Sequence, residues 1–257
     1  IFITLVYLRQ MANIIFDDKR KSHPMPWYKP DGIGTAKNFN DNEIKKYLPK
    51  FIGLIDAIAS LDDIKNYLAT PEVEGTRAKD FRMLSFEKLE FKKNRKGHVL
   101  FTNVGLMALT HAYKNLVIGT LDSDVNNDGP KITAAEFGKK LRKFEAQGAN
   151  FNYDRDKDSI KTVGLRHISI PQSIFYGILL SINRERMIVR EHSTVLAGKI
   201  LTYILGPGDF EETKKLQQSI TSNRIVRADY INWDGKKIKV ESDGDKIRNP
   251  IELPSRI

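Results

Sequence analysis

The feature that most constrains the fold is a helical spacing of apolar residues that recurs along the chain. Between Asp41 and Ile58, apolar residues fall every three or four positions, as on one face of an α-helix, and Asp41 is a suitable cap. We expect the core to include Ile44, Leu48, Phe51, Ile52, Ile55 and Ile58. Similar patterns predict further helices over 61–68, 104–116, 172–182, 193–205 and 209–219, and one that begins at Thr133.

Two stretches change to the alternating pattern of β-strands. The segment FRMLSFEKLEF, the turn KKNRKG and the segment HVLFT predict a β-hairpin over 81–102, and Asp234-Gly235 predicts a second one near the C-terminal end. The first 40 residues predict an extended arm, with Ile1–Leu8 as a buried strand or docking segment, because the prolines and glycines of HPMPWYKPDGIG oppose regular structure.

These patterns together predict an α+β fold that is predominantly helical. We expect two helical lobes with two small β-hairpins and an extended N-terminal arm. The arm spans 1–40, the N-terminal lobe with a basic hairpin spans 41–150, and the C-terminal lobe ending in a hairpin spans 151–257.

Composition excludes several classes of protein. Hydrophobic residues make up 40% of the 257, too many for a disordered chain. The absence of cysteine excludes disulfides, thiolate metal sites and thiol catalysis, and fits a reducing compartment such as the cytoplasm or a virion interior. No apolar run reaches the roughly 18 residues of a transmembrane helix. We therefore expect an intracellular protein.

The formal charge of +10 favours an anionic partner, because such an excess of like charge repels itself until it is neutralised. The basic residues gather in three clusters, and two aromatic residues in the polar connection 148–170, Phe151 and Tyr153, offer stacking faces to unpaired bases. We expect the clusters to neutralise phosphates: Lys92, Lys93, Arg95 and Lys96 at the first hairpin tip; Lys139, Lys140, Arg142 and Lys143 after Thr133; and Arg184, Arg186 and Arg190.

The sequence has no motif of a base-reading nucleic-acid-binding family, so binding directed at the backbone of a single strand, most readily RNA, is favoured. The layout of two helical lobes, basic patches and an apolar arm is similar to that of viral nucleoproteins. This resemblance implies a non-enzymatic, nucleocapsid-like protein that forms homo-oligomers through Ile1–Leu8. A basic matrix-like protein bound to an anionic membrane surface is an alternative with the same charge argument.

A second alternative is a calcium site in the acidic loop. Asp124, Asn126 and Asp128, followed by Gly129, resemble the first ligand positions of an EF-hand, and Glu136 resembles its final ligand. Glu136 comes one residue later than in a standard loop. Asp-Gly turns followed by a Thr133–Glu136 capping box explain the same residues without calcium.

An enzyme is the least favoured reading. The stretch LVIGTLDSDV is similar to the Asp-x-Asp element with which many glycosyltransferases hold a metal and a sugar nucleotide, but no glycine-rich nucleotide loop accompanies it. The signatures GxSxG, HExxH, GxxxxGK[ST] and GxGxxG are all absent, and the five histidines are scattered. We therefore expect no catalytic residues and no required cofactor.

Overall fold

The structure is a computed structural model. It describes residues 5–16, 41–69, 97–119, 131–156, 161–168, 170–183, 186–207, 213–224, 232–233, 237 and 251–257.

Helices dominate the described residues. The α-helices are α1 (Leu5–Phe16), α2 (Asp41–Ala59), α3 (Asp62–Ala69), α4 (Asn103–Tyr113), α5 (Ala134–Ala146), α6 (Tyr153–Asp156), α7 (Thr194–Leu205) and α8 (Thr213–Asn223). Short 3₁₀ turns cover Val99–Phe101 and Glu191–Ser193, and a π-helical turn, Lys114–Ile118, continues α4. Among these helices none is long and apolar enough to cross a membrane.

Helix α4 is the centre of the fold. It begins at Thr102, whose Oγ1 accepts a hydrogen bond from the Gly105 amide at 3.1 Å. Its side chains are buried on almost every side, and it packs against α7 and α1. Gly198 on α7 permits a close approach to α4, since a Cβ there would lie 2.6 Å from the Cβ of His111. The predicted helices 104–116 and 193–205 are thus confirmed.

The core is one connected cluster of buried apolar side chains that extends, among the described residues, from Met11 to Ile251. The predicted division of the chain at 150/151 stays a prediction. The helices predicted over 41–58 and 61–68 are confirmed as α2 and α3, but Leu48 and Ile52 are exposed rather than buried. The buried face of α2 is instead formed by Leu54, Ala57 and Ile58.

The predicted fold class, α+β with two β-hairpins and an extended arm, is wrong. The described part of the chain is mostly helical, and neither predicted hairpin is seen there. Residues 81–96 and Asp234-Gly235 lie outside the described residues. The predicted second strand of the first hairpin, 98–102, forms a single bridge from His98 to Arg166, then a 3₁₀ turn and the cap of α4.

The N-terminal segment is also corrected. Residues 5–16 form helix α1, whose Met11 and Ile15 are fully buried in the core. Leu8, Met11, Ala12 and Ile15 follow a helical period, which the β-branched residues at the start of the chain obscured. Self-association through Ile1–Leu8 stays a prediction, and Leu5 and Val6 at the start of α1 are exposed.

The helix predicted over 172–182 is replaced by turns and one short strand. Residues 171–179 form successive buried turns, and β1 (Leu180–Asn183) pairs antiparallel with β2 (Arg186–Val189) in a two-stranded ribbon. The fully buried Arg224, just after α8, donates to the backbone carbonyls of Pro171, Ser173 and Tyr176. A distant guanidinium therefore bonds carbonyls that a helix would pair internally.

Candidate nucleic-acid interface

Helix α5 carries the predicted basic cluster that is best described. Thr133 caps the helix, because its Oγ1 accepts a hydrogen bond from the Glu136 amide at 3.1 Å. One side of the helix buries Phe137, Leu141 and Phe144 in the core, as the spacing predicts. The packing of this apolar side fixes which residues point to solvent.

The solvent-facing side of α5 is basic. Lys139, Arg142 and Lys143 are exposed and Lys140 is half-buried, and Glu136 is the acidic residue on that side. Two of the four basic groups contact the rest of the protein: Lys140 Nζ donates to the carbonyl oxygen of Ile257, and Arg142 Nη1 donates to Ser60 Oγ at 3.0 Å. At 3.6 residues per turn, Lys139 and Lys143 lie one turn apart between these two flanks.

Unlike the exposed basic residues of α5, Arg190 is half-buried and hydrogen-bonded to the backbone of other segments. Its Nη1 donates to the carbonyl oxygens of Gly177 and Asn223, and its Nη2 lies 3.3 Å from His192 Nε2. Burial lowers the pKa of its guanidinium. The contacts of Arg190 join the end of β2 to the end of α8. Its Nη1 group therefore stabilises the fold and is already bonded within the protein.

For the other predicted site residues except Glu136, the structure describes the backbone alone or nothing. Arg186 begins β2 and Tyr153 begins α6, and their side chains are not among those described. The remaining predicted binding and metal residues lie outside the described residues: Lys92, Lys93, Arg95, Lys96, Asp124, Asn126, Asp128 and Arg184. Glu136 is exposed in the first turn of α5, and the calcium reading stays a prediction.

Sequence reasoning missed a cluster of charged residues at the buried C-terminal end of α5. This charge cluster consists of Asp63, His98, Glu145 and Arg166. Arg166 Nε and Nη2 lie 2.7 and 2.9 Å from the two carboxylate oxygens of Asp63, and its Nη1 donates to the Glu145 carbonyl oxygen at 2.8 Å. The bidentate geometry is that of a strong ion pair.

Glu145 is the most deeply buried carboxylate of the charge cluster. Its Oε2 accepts a hydrogen bond from the Asp62 amide at 2.8 Å, and its Oε1 accepts one from the Asp63 amide at 3.1 Å. These are the first amides of α3, which have no partner within their own helix. Burial raises the pKa of Glu145, but the His98 N–H and the two amides outweigh that effect, so the pKa is lowered.

The pKa of Asp63 is lowered in the same way. Burial alone raises the pKa of its carboxyl group, but the hydrogen bond and charge of Arg166, together with His98 and His167, bring it below its ordinary value. The charge cluster therefore holds both carboxylates ionised and ties α3, the segment before α4, the end of α5 and residues 163–168 to one another.

Three atoms of the charge cluster are close enough together to suggest a metal site. Ligand atoms of Asp63, His98 and Glu145 all lie within 4.8 Å of one another. However, His98 Nδ1 accepts a hydrogen bond from the Leu100 amide at 3.2 Å, so the proton of the neutral ring is on Nε2, the atom that faces the carboxylates. A neutral histidine that binds a metal through Nε2 carries its proton on Nδ1.

Arg166 opposes a metal as well. Its guanidinium already occupies the space beside Asp63 and lies 3.8 Å from Glu145 Oε1, so a divalent cation would be held next to a fixed positive charge. The residues present do not fit a metal ion. They fit a structural network in which the Arg166 guanidinium pairs with Asp63 and two α3 amides bond Glu145. His98 Nε2 lies 3.4 Å from Glu145 Oε1 without a hydrogen-bond partner among the described residues.

A pair of rings lies beside the charge cluster. The centroids of Phe151 and His167 are 5.2 Å apart with a tilt of 55°, and both side chains are half-buried. His167 Nε2 lies 3.2 Å from the carbonyl oxygen of Gly148, just beyond the end of α5. Phe151 was a predicted stacking residue, whereas nothing in the sequence pointed to His167 as its neighbour.

One signal in the sequence could have found the charge cluster. Glu145 comes four residues after Leu141 and one after Phe144, which is a core position on α5, and a carboxylate there needs partners. The partners themselves have no local signal, since Asp63 and Arg166 are 103 residues apart.

Comparison of the chain with protein-family models, with curated proteins and with solved structures finds no match.

Proposed function

We propose that this protein binds single-stranded nucleic acid, RNA in particular, without catalysis, and that the solvent-facing side of α5 holds the phosphates. The observation that carries the proposal is the array of Lys139, Lys140, Arg142 and Lys143 across one side of a helix whose other side is fixed in the core. Rigid packing supports binding, because the helix backbone that carries the basic groups needs no further ordering when phosphates approach.

The physical driving force is the release of counterions. Each phosphate neutralised by lysine or arginine frees condensed cations, so affinity falls as salt is added. Lys139 and Lys143 are the central contacts in this proposal, since both are exposed and lie one turn apart. Arg142 and Lys140 flank them and are steadied by Ser60 and Ile257.

The test is the binding of a single-stranded oligoribonucleotide over a series of salt concentrations, measured by fluorescence anisotropy. The test variant is the double substitution Lys139→Gln/Lys143→Gln. The control, Lys199→Gln/Lys214→Gln, removes the same charge from exposed positions on α7 and α8. We expect the test variant to bind about tenfold more weakly and its logarithmic salt slope to be shallower by about 1.4, or about 0.7 for each lost phosphate contact.

The control variant should keep more of its affinity and the wild-type slope. Equal loss in the two variants would show that only net charge matters, and wild-type binding that hardly changes with salt would contradict the proposal. Binding to phosphatidylserine vesicles without binding to the oligomer would favour the matrix-like alternative.

A further inference from the structure

We propose that the Phe151–His167 ring pair is a stacking site for one unpaired base, and that this site makes the interface selective for single strands. This inference rests on the proposed function, because the same strand would place its phosphates along α5. A base in a duplex has both faces covered by its neighbours, whereas an unpaired base can place one face on an aromatic side chain.

The backbone of His167 is held in place by its surroundings. His167 has a left-handed backbone conformation, with a φ of 52°, which is uncommon outside glycine and asparagine. Hydrogen bonds surround it: the Arg166 amide donates to Val163 at 3.1 Å, and the Ile170 amide donates to the His167 carbonyl oxygen at 3.2 Å. The backbone of His167 is therefore fixed, and its ring lies against the carbonyl oxygen of Gly148.

The ring pair adjoins the C-terminal end of α5, since His167 Nε2 lies 3.2 Å from the carbonyl oxygen of Gly148 and the Phe151 amide donates to the same oxygen at 3.4 Å. The Gly148 amide donates to the Glu145 carbonyl oxygen at 3.3 Å, so the chain turns directly from the helix towards Phe151. A Cβ at Gly148 would lie 2.3 Å from the Val163 carbonyl oxygen, so only glycine lets these two segments approach so closely. Lys143, in the last turn of α5, is thus near the rings along the chain.

The electrostatics of a helix end favour a base over a phosphate at this place. The C-terminal end of a helix carries partial negative charge, which repels an anion; at α5 the carbonyl oxygens of Phe144, Glu145 and Ala146 accept hydrogen bonds, which reduces this charge without removing it. An uncharged base is free of that penalty. One strand therefore places its phosphates along the basic side of α5 and one base at the C-terminal end of the helix.

The test compares two probes, an oligoadenylate of about twelve nucleotides and an oligomer of the same length with abasic sugars. Wild-type protein should bind the oligoadenylate more tightly. Phe151→Leu, which keeps an apolar side chain and loses the ring, should weaken oligoadenylate binding by roughly five- to a hundredfold and leave abasic binding unchanged. Tyr7→Leu is the matched control, since Tyr7 is a half-buried aromatic residue on α1.

A second variant guards against a failure to fold. His167→Asn removes the ring but tolerates the left-handed backbone, so it should fold and should also lose the preference for the oligoadenylate. Wild-type protein that binds both probes equally would overturn the stacking site and leave the phosphate interface standing. Salt-insensitive binding of both probes would overturn the proposed function itself, and variants that keep the wild-type preference would show that the rings only pack.

Discussion

The two sides of α5 use charge in opposite ways. At the inner side, Glu145 is nearly inaccessible, and its carboxylate accepts hydrogen bonds from two amides of α3 and lies 3.8 Å from the Arg166 guanidinium. At the outer side, Lys139 and Lys143 are exposed. Glu145, Lys139 and Lys143 all lie on one helix of 13 residues. The difference shows that the role of a charged residue on a helix, in the fold or towards a partner, can be assigned only when the buried side of the helix is known.

The inner charges hold the fold, and the outer charges are available to a partner. Burying an ion pair costs desolvation, which the attraction repays only when geometry is good and the remaining atoms are bonded. Asp63 meets that condition through its bidentate contact with Arg166, and Glu145 meets it through the two α3 amides. The outer lysines bear little desolvation cost, and their removal should cost the fold almost nothing.

The largest expected effect tests the inner side. Glu145→Ala removes the acceptor of two α3 amides and leaves His98 and Arg166 with one carboxylate fewer. We expect the free energy of unfolding to fall by about 3 kcal/mol, as measured by urea denaturation.

Glu136→Ala is the matched control, on the exposed side of the same helix, and should cost less than about 1 kcal/mol. Equal losses at Glu145 and Glu136 would show that the inner network adds no stability.

A smaller effect concerns pH. The folded-state pKa values of Asp63 and Glu145 are lowered, so their stabilisation is present above the unfolded values and is lost as pH falls through the folded ones. Melting temperature should therefore fall between about pH 5 and pH 3, and the fall should be smaller in Glu145→Gln. A melting temperature with the same pH dependence in the variant and the wild type would contradict the assigned roles.

The smallest expected effect is the change in melting temperature when a metal ion is offered to the charge cluster. Zinc or manganese that bound Asp63, His98 and Glu145 would stabilise the folded state by mass action. Because the tautomer of His98 and the position of Arg166 oppose a metal, we expect the melting temperature to change by less than about 1 °C when either ion is added. A rise that disappears in His98→Gln would show that the cluster rearranges to bind metal.

The sequence predicted those helices in which the buried residues recur at a regular helical spacing within one segment. Helices α4, α5 and α7 follow the helical period of apolar residues, and the Thr133 cap of α5 lies where the pattern placed it. The buried Phe137, Leu141 and Phe144 and the outward lysines of α5 follow from that same period.

Contacts between distant residues could not be predicted in this way. The apolar run 172–182 has the composition of a helix, but Arg224 and Arg190 bond the carbonyls of its turns from other segments. Gly177, with a φ of 77°, interrupts it as well. The charge cluster likewise joins four segments, so no window of sequence contains its pattern.

The most direct test of separate inner and outer charges is the rise in melting temperature caused by a single-stranded oligoribonucleotide. At about a hundred times the dissociation constant, the wild type should gain about 5 to 10 °C. Glu145→Gln should start from a lower melting temperature and show the same rise. Lys139→Gln/Lys143→Gln should start near the wild-type value and, at the same oligomer concentration, show about half the rise, because tenfold weaker binding leaves about 1.4 of about 2.7 kcal/mol. A full rise in the lysine variant, or none in Glu145→Gln, would contradict the account.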